Sequence, residues 1–251
     1  MNTSEKVAIV TGGASGIGAA TARRLAREGI IVVVADIHAE AGEHISGEIV
    51  DSGGKSVFQA VDTSSYDSVQ SLVDTTVTRF GRLDIMFNNA GIGNPQIGFL
   101  DMPLEDYHKT INVNQHGVYY GMRAAGNAMK EHGGVIVNTA SIYGFIADRR
   151  QFPYHASKGA VVMMTKAGAL ELAKYNIRVV AVAPGLIDTG IVRGWKDIPK
   201  VWDAVQRAQM RGQAGQPEDV AHMVNFLVSD EAAFTNGQVF FVDDGSASFK
   251  V

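Results

Sequence analysis

Val7-Ala8-Ile9-Val10-Thr11-Gly12-Gly13-Ala14-Ser15-Gly16-Ile17-Gly18 is the stretch that decides the fold. Val7–Val10 is a short continuous apolar run, the pattern of a strand covered on both faces. Glycines then crowd the turn, and an amphipathic segment, Ile17–Glu28, follows at helical spacing. A glycine turn between a strand and a helix is a natural anion site, because backbone N–H groups and the helix dipole converge there. The spacing Gly12-x3-Gly16-x-Gly18 departs from the common G-x-G-x-x-G, so the context carries the argument: a strand before the turn and a helix after it. A glycine-rich connection with no ligand is the competing reading.

Similar apolar runs recur outward from this turn, at Ile30–Ala35, Val57–Val61, Leu83–Phe87, Val135–Val137, Ile177–Ala183 and Val239–Val242. Segments with helical periodicity separate them, near residues 16–28, 39–52, 65–79, 104–130, 152–175 and 217–228. This alternation predicts an α/β protein: a single doubly wound Rossmann-type domain over 1–251, with a mostly or wholly parallel seven-stranded sheet and helices on both faces. One irregular insertion, at about 186–216, interrupts the pattern. Its Trp195, Ile198, Val201 and Trp202 predict an apolar lid over a substrate pocket, walled further by Ile92–Ile97 and Ile142–Phe145. The helices at 104–130 and 152–175 are apolar nearly all round, and a sheet covers only one side of a helix, so a second subunit is expected on the other.

The chain has 251 residues, 46% of them hydrophobic and 19% charged, with 22 basic against 26 acidic side chains for a net charge of −4. No dense Lys/Arg run is present, which argues against nucleic acid or an anionic membrane as partner. No apolar run approaches the length of a spanning helix, and Met1-Asn2-Thr3-Ser4-Glu5-Lys6 leads into the first strand without a signal-peptide core, so a soluble cytoplasmic protein is expected. With no cysteine, disulfides, thiolate nucleophiles and zinc–sulfur sites are excluded. The seven histidines have no paired metal-ligand spacing, and no metal is expected.

Asp36 ends the second strand 18 residues after Gly18, where a carboxylate would accept hydrogen bonds from an adenosine ribose. A 2′-phosphate would meet that charge with no compensating cation at Ser15 or Ile37, which favours NAD over NADP. A helix-capping aspartate is the alternative. Tyr154 and Lys158, four apart, share one helix face, so the ammonium is expected to hold the phenol near ionisation. A phenol with its ordinary pKa of about 10 is a poor base at neutral pH, and a neighbouring cation moves it toward useful strength. Ser141, at the end of the strand beginning at Val135, is placed to hold a substrate oxygen. These features predict hydride transfer at a nicotinamide, with proton transfer at an alcohol or ketone. A non-catalytic NAD-sensing module would keep the glycine turn but would not need Ser141, Tyr154 and Lys158 together.

On these residues the chain resembles the short-chain dehydrogenase/reductase family, in its NAD-preferring type of about 250 residues, from end to end. Thr11–Gly18 matches the TGxxxGxG turn, Asn88-Asn89-Ala90-Gly91 the NNAG segment, Asn114 an active-site asparagine, and Ser141, Tyr154 and Lys158 the Ser, Tyr and Lys. Pro184-Gly185 with Thr189 matches the PG segment that lines the nicotinamide. The resemblance implies cofactor contacts at Gly12, Ser15, Gly16, Ile17, Gly18, Asp36, Ile37, Asn89, Ala90, Gly91, Tyr154, Lys158, Pro184, Gly185, Ile187 and Thr189. It further implies that Asp62 and Thr63 flank the adenine, and that Asn114 and Lys158 connect Tyr154 to solvent through water. It favours a homotetramer over a dimer. Two features depart from the pattern: Asp243-Asp244-Gly245 stands where a DGG ending is usual, and the basic pair Arg149-Arg150 precedes Tyr154, there to attract an anionic substrate or simply to face water.

Overall fold

The computed structural model describes residues 5–248, so Met1–Ser4 of the N-terminal reading lie outside the described residues. Seven strands, β1 (Val7–Thr11), β2 (Ile31–Asp36), β3 (Ser56–Ala60), β4 (Ile85–Asn88), β5 (Gly134–Thr139), β6 (Ile177–Pro184) and β7 (Val239–Val242), form one sheet in the order β3-β2-β1-β4-β5-β6-β7. Every adjacent pair is parallel. The winding reverses between β1 and β4, and in such sheets ligands bind beyond the carboxyl ends of the strands at that point.

Alternation along each strand assigns the two faces. Ile9 and Val33 point to a layer built from α3 (Tyr66–Phe80), α5 (Gly117–Met129) and α6 (Phe152–Leu172), where Leu72, Met129 and Val161 are buried. Ala8, Val10, Val32 and Val34 point to α1 (Gly16–Arg27), α2 (Ala39–Asp51) and α9 (Pro217–Val228), where Leu25, Ile49 and Val224 are buried. Both faces are therefore covered, which is why the strands read as unbroken apolar runs.

Several strands extend past the apolar residues that announce them. Thr11, Asp36, Asn88, Thr139 and Pro184 close the ladders of β1, β2, β4, β5 and β6. They are the residues at the carboxyl edge, where the sheet meets the site, so polarity ends the hydrophobic pattern before it ends the strand.

The helix expected over 104–130 is divided. After α4 (Leu104–Ile111), residues Asn112–His116 form one π-helical turn before α5 begins. Such a turn widens the helix by a residue and re-aims a side chain. Here it contains Asn114, which is fully buried. Outside the core the expected apolar faces are bare: Leu104, Tyr119, Phe152, Met163 and Leu170 are exposed, Leu170 by 84%. In the insertion, α7 (Arg193–Lys196) and α8 (Pro199–Arg207) are short, and a parallel bridge between Ile187 and Gly215 pins its two ends together. Among the described residues no helix is long and apolar enough to cross a membrane.

Candidate active site

The turn after β1 is built for close approach. Gly12 has φ 64°, in the left-handed region, and a Cβ on Gly18 would lie 2.0 Å from the Gly12 carbonyl oxygen. Ser15 caps α1 with no side-chain hydrogen bond, and the first turn has no acidic residue. The N–H groups that open α1 therefore have no side-chain acceptor, and their partial positive charge faces the turn. Glycine-only sterics and unanswered donors fit a dinucleotide pyrophosphate.

Asp36 is mostly buried at the end of β2, and both its oxygens accept backbone N–H groups, Oδ2 from Ala14 at 3.0 Å and Oδ1 from His38 at 3.0 Å. The carboxylate is thereby tied to the glycine turn itself. Ile37 beside it is an apolar side chain left 63% exposed. Asp62 binds the N–H and hydroxyl of Ser64, while Thr63 is buried.

Thr11 joins the turn to the loop after β4. Its hydroxyl accepts the N–H groups of Asn89 at 2.9 Å and Ala90 at 3.1 Å, and donates to the Phe87 carbonyl at 3.2 Å. The Asn89 amide donates to the Thr11 carbonyl at 3.1 Å and accepts from the Thr139 hydroxyl at 3.2 Å. The Thr139 carbonyl in turn accepts from Lys158 Nζ at 2.7 Å. A continuous chain of hydrogen bonds thus runs from the glycine turn to the buried lysine. The role of Thr11 and Thr139 in it was not legible in the sequence, because a threonine at a strand end is unremarkable in isolation.

Ser141, Tyr154 and Lys158 come together beyond β5. Ser141 caps the short turn Ile142–Gly144 and accepts the Tyr143 N–H at 3.1 Å. The Ser141 side chain acts on the Tyr154 phenol, drawing its pKa down, and Lys158 Nζ lies 5.5 Å from the centre of the Tyr154 ring. Asn114 reaches back from the π-turn to the backbone of Ile92, accepting its N–H at 2.8 Å and donating to its carbonyl at 2.8 Å. Its amide is also 3.5 Å from Ser157 Oγ.

Electrostatically the site differs from the expectation of a phenol held near ionisation. Burial pushes the Tyr154 phenol up, and only Ser141 pulls it down. Burial also lowers Lys158, from 10.5 to about 8. Desolvation therefore sets the direction of both shifts in the protein by itself.

The fourth wall comes from β6 and the insertion. Pro184 ends β6, the Gly185 N–H bonds the Val242 carbonyl at 3.0 Å, and Ile187 is buried. Thr189 lies over the glycine turn, where a Cβ on Gly16 would meet its Cγ2 at 3.1 Å. Trp195 and Trp202 are half-buried, and Lys196 binds Asp188 at 2.8 Å while sitting 5.4 Å from the Trp202 ring. The unusual Asp244 is in the left-handed region at φ 50° and grips Arg211, accepting its backbone N–H at 2.6 Å and its Nε at 2.5 Å. The second carboxylate of the Asp243-Asp244-Gly245 ending thus ties the C-terminal turn to the end of the insertion. Arg149 and Arg150 are both exposed, and the Arg150 carbonyl accepts from Asn94 at 2.9 Å.

A family model described as enoyl-(acyl carrier protein) reductase matches residues 12–247. The chain is 39% identical to the cyclohexanol dehydrogenase of Acinetobacter sp. (strain SE19), over 97% of this chain and 95% of that one. It is 40% identical to the cyclopentanol dehydrogenase of Comamonas sp. (strain NCIMB 9872), over 96% of each. Its fold superimposes on a short-chain type dehydrogenase/reductase from Mycobacterium marinum with a TM-score of 0.93 and 34% identity, covering 98% of this chain and 97% of that one. With the glycine turn, the parallel sheet and these full-length matches in agreement, the chain belongs to the short-chain dehydrogenase/reductase family.

Proposed function

We propose that this protein is an NAD(H)-dependent oxidoreductase that interconverts a cyclic secondary alcohol and its ketone. The observation that carries the reading is the convergence of Ser141, Tyr154 and Lys158 at one end of the hydrogen-bonded chain whose other end is the glycine turn. A module that only sensed NAD would have no use for that convergence. The substrate class follows the cyclohexanol and cyclopentanol dehydrogenases, whose sequences align over nearly the whole chain.

In this reading the N–H groups of Ser15, Gly16, Ile17 and Gly18, with Gly12, would hold the pyrophosphate. Asp36 takes the adenosine ribose hydroxyls, Ile37, Asp62 and Thr63 border the adenine, and Asn89, Ala90 and Gly91 back the nicotinamide-side ribose. Pro184, Gly185, Ile187 and Thr189 line the nicotinamide. When bound, the nicotinamide supplies the hydride acceptor for alcohol oxidation and, reduced, the donor for ketone reduction. Ser141 orients the substrate oxygen, and Tyr154 takes or gives the proton at that oxygen. Lys158 holds ribose hydroxyls and supports ionisation of Tyr154, while Asn114 and Lys158 pass the proton to solvent through water. The insertion at 186–216 folds over the substrate. The bare faces of the 104–130 and 152–175 helices pair with those of other copies in a cytoplasmic homotetramer.

The test is oxidation of cyclohexanol and cyclopentanol with NAD by the protein and by Tyr154→Phe. The variant is expected to lose roughly 10²–10⁴-fold in kcat, the scale of a lost general acid/base, with NADH affinity retained. Turnover near wild type in Tyr154→Phe would refute the assignment.

A further inference from the structure

The segment after Ser141 makes a closed ring of contacts around Tyr143. Its N–H donates to Ser141 Oγ at 3.1 Å, and its ring meets the Tyr154 ring edge-on, centroids 6.3 Å apart at 88°. Its carbonyl lies 3.0 Å from His155 Nδ1, and its hydroxyl donates to Asp148 Oδ2 at 3.1 Å. Because a carbonyl only accepts, Nδ1 carries a hydrogen toward Tyr143, while Nε2 sits against the backbone of Asp148, 2.9 Å from its N–H and 3.1 Å from its carbonyl oxygen. His155 follows Tyr154 on α6. The histidine therefore fastens the 143–148 segment to the helix that carries the phenol, and Tyr143 fastens Ser141 to that segment.

We propose that His155 and Tyr143 are positioning residues that hold the Ser141 hydroxyl in register with the Tyr154 phenol, a role that rests on the acid/base reading of Tyr154 above. With its oxygen taken by the Tyr143 N–H, Ser141 has its own hydrogen left for the phenol. Ser141 is the neighbour that opposes the effect of burial on Tyr154. These charged and titratable groups lie on the elements about the phenol. Lys158 lies on the same helix, and Tyr143, with Asp148 behind it, lies on the 142–150 segment. On the π-turn His116 stacks on Tyr120, and on the insertion Asp188 is paired with Lys196. Freeing Tyr143 lets Ser141 leave its place beside the phenol, so the phenol rises further. Alcohol oxidation, which needs the phenolate, then sets in at higher pH.

Four variants test this, with Tyr154→Phe in parallel. His155→Ala is expected to lower kcat for cyclohexanol oxidation by about 10²-fold, the scale of a small misplacement of reacting groups, with KM for NAD unchanged and the rise of activity shifted to higher pH. His155→Asn, which keeps a donor at the Nδ1 position, recovers most of the loss. Asp148→Asn, which keeps an acceptor for the Tyr143 hydroxyl, stays near wild type, whereas Asp148→Ala does not. Ultraviolet difference titration of the phenol, with Tyr154→Phe as blank, reads the same shift without turnover. If His155→Ala keeps kcat within about twofold and leaves the phenol titration in place while Tyr154→Phe is inactive, the positioning role is wrong and the acid/base reading stands. An active Tyr154→Phe overturns both. Should His155→Ala fail to fold, equal kcat in Asp148→Asn and Asp148→Ala overturns the proposal by itself.

Discussion

Lys158→Met asks what a buried ammonium does to the fold. Lys158 is 3% exposed, with the Thr139 carbonyl as its hydrogen-bond partner, and burial lowers its pKa from 10.5 to about 8. At pH 7 both the folded and the unfolded chain hold the proton, and the depressed value destabilises the folded state by about 3 kcal/mol. Between pH 8 and 10.5 the folded protein has released its proton while the unfolded chain still binds one, so stability rises with pH. By pH 10 the penalty has fallen to about 1 kcal/mol. Methionine is similar in length and carries no charge. It forfeits the bond to Thr139, a charge-assisted hydrogen bond worth about 1.5–3 kcal/mol, so near pH 7 the two effects roughly cancel or the variant is slightly more stable. The pH-dependent part does not depend on that offset: from pH 7 to pH 10 the wild type should gain about 2 kcal/mol on Lys158→Met. For a chain of this size that corresponds to a relative Tm change of about 4–8 °C. Calorimetric melts of both proteins without cofactor measure it. Melting curves that stay parallel across the range would refute the buried-ammonium reasoning.

Three further outcomes are expected. With Asp36 held at both oxygens by backbone N–H groups, a 2′-phosphate meets a fixed negative charge, so kcat/KM for NADH should exceed that for NADPH by about 10² or more, and Asp36→Asn should narrow the gap; equal values would refute it. Trp195 and Trp202 are the chain's only tryptophans and both belong to the insertion, so fluorescence quenching by a soluble quencher should fall when NAD and a substrate analogue bind together, and unchanged quenching would leave the insertion a static element. Light scattering should give an assembly rather than 26.8 kDa, and Leu170→Glu, placing a charge on the most exposed apolar position of α6, should shift it toward the monomer.

Much of the fold is legible because it rests on burial. Val7–Val10, Val32–Ala35 and Val179–Ala183 are apolar on both sides because helices cover both sides, and that requirement is written in every residue. The π-turn is not written in this way. Residues 112–116 carry ordinary helical periodicity, and what accompanies the widened turn is the pair of bonds from Asn114 to the backbone of Ile92, 22 residues away in the chain. A long-range contact of that kind leaves no local pattern. The same holds for the Asp244 ending, whose meaning depends on Arg211 arriving from the far side of the insertion.

The glycine turn and the Ser141–Tyr154–Lys158 set could be found in the sequence because the chemistry restricts residue type at each position. The support beneath them could not. Thr11 and Thr139 reach the site through a hydroxyl and a backbone carbonyl each, and Tyr143, Asp148 and His155 act through a ring that closes only in three dimensions. Yet these are the groups that set the electrostatics. Burial raises the Tyr154 phenol and lowers the Lys158 ammonium, so each is biased toward its neutral form until something compensates. Within the protein that compensation comes from Ser141 at the phenol and from the Thr139 carbonyl, which accepts from the ammonium. Each of these partners is itself held, Ser141 by the Tyr143 N–H and Thr139 by Asn89. A site that desolvates its own acid and base therefore depends on supporting residues for the protonation states it can reach, and substitutions in that support should appear in pH profiles before they appear in cofactor binding.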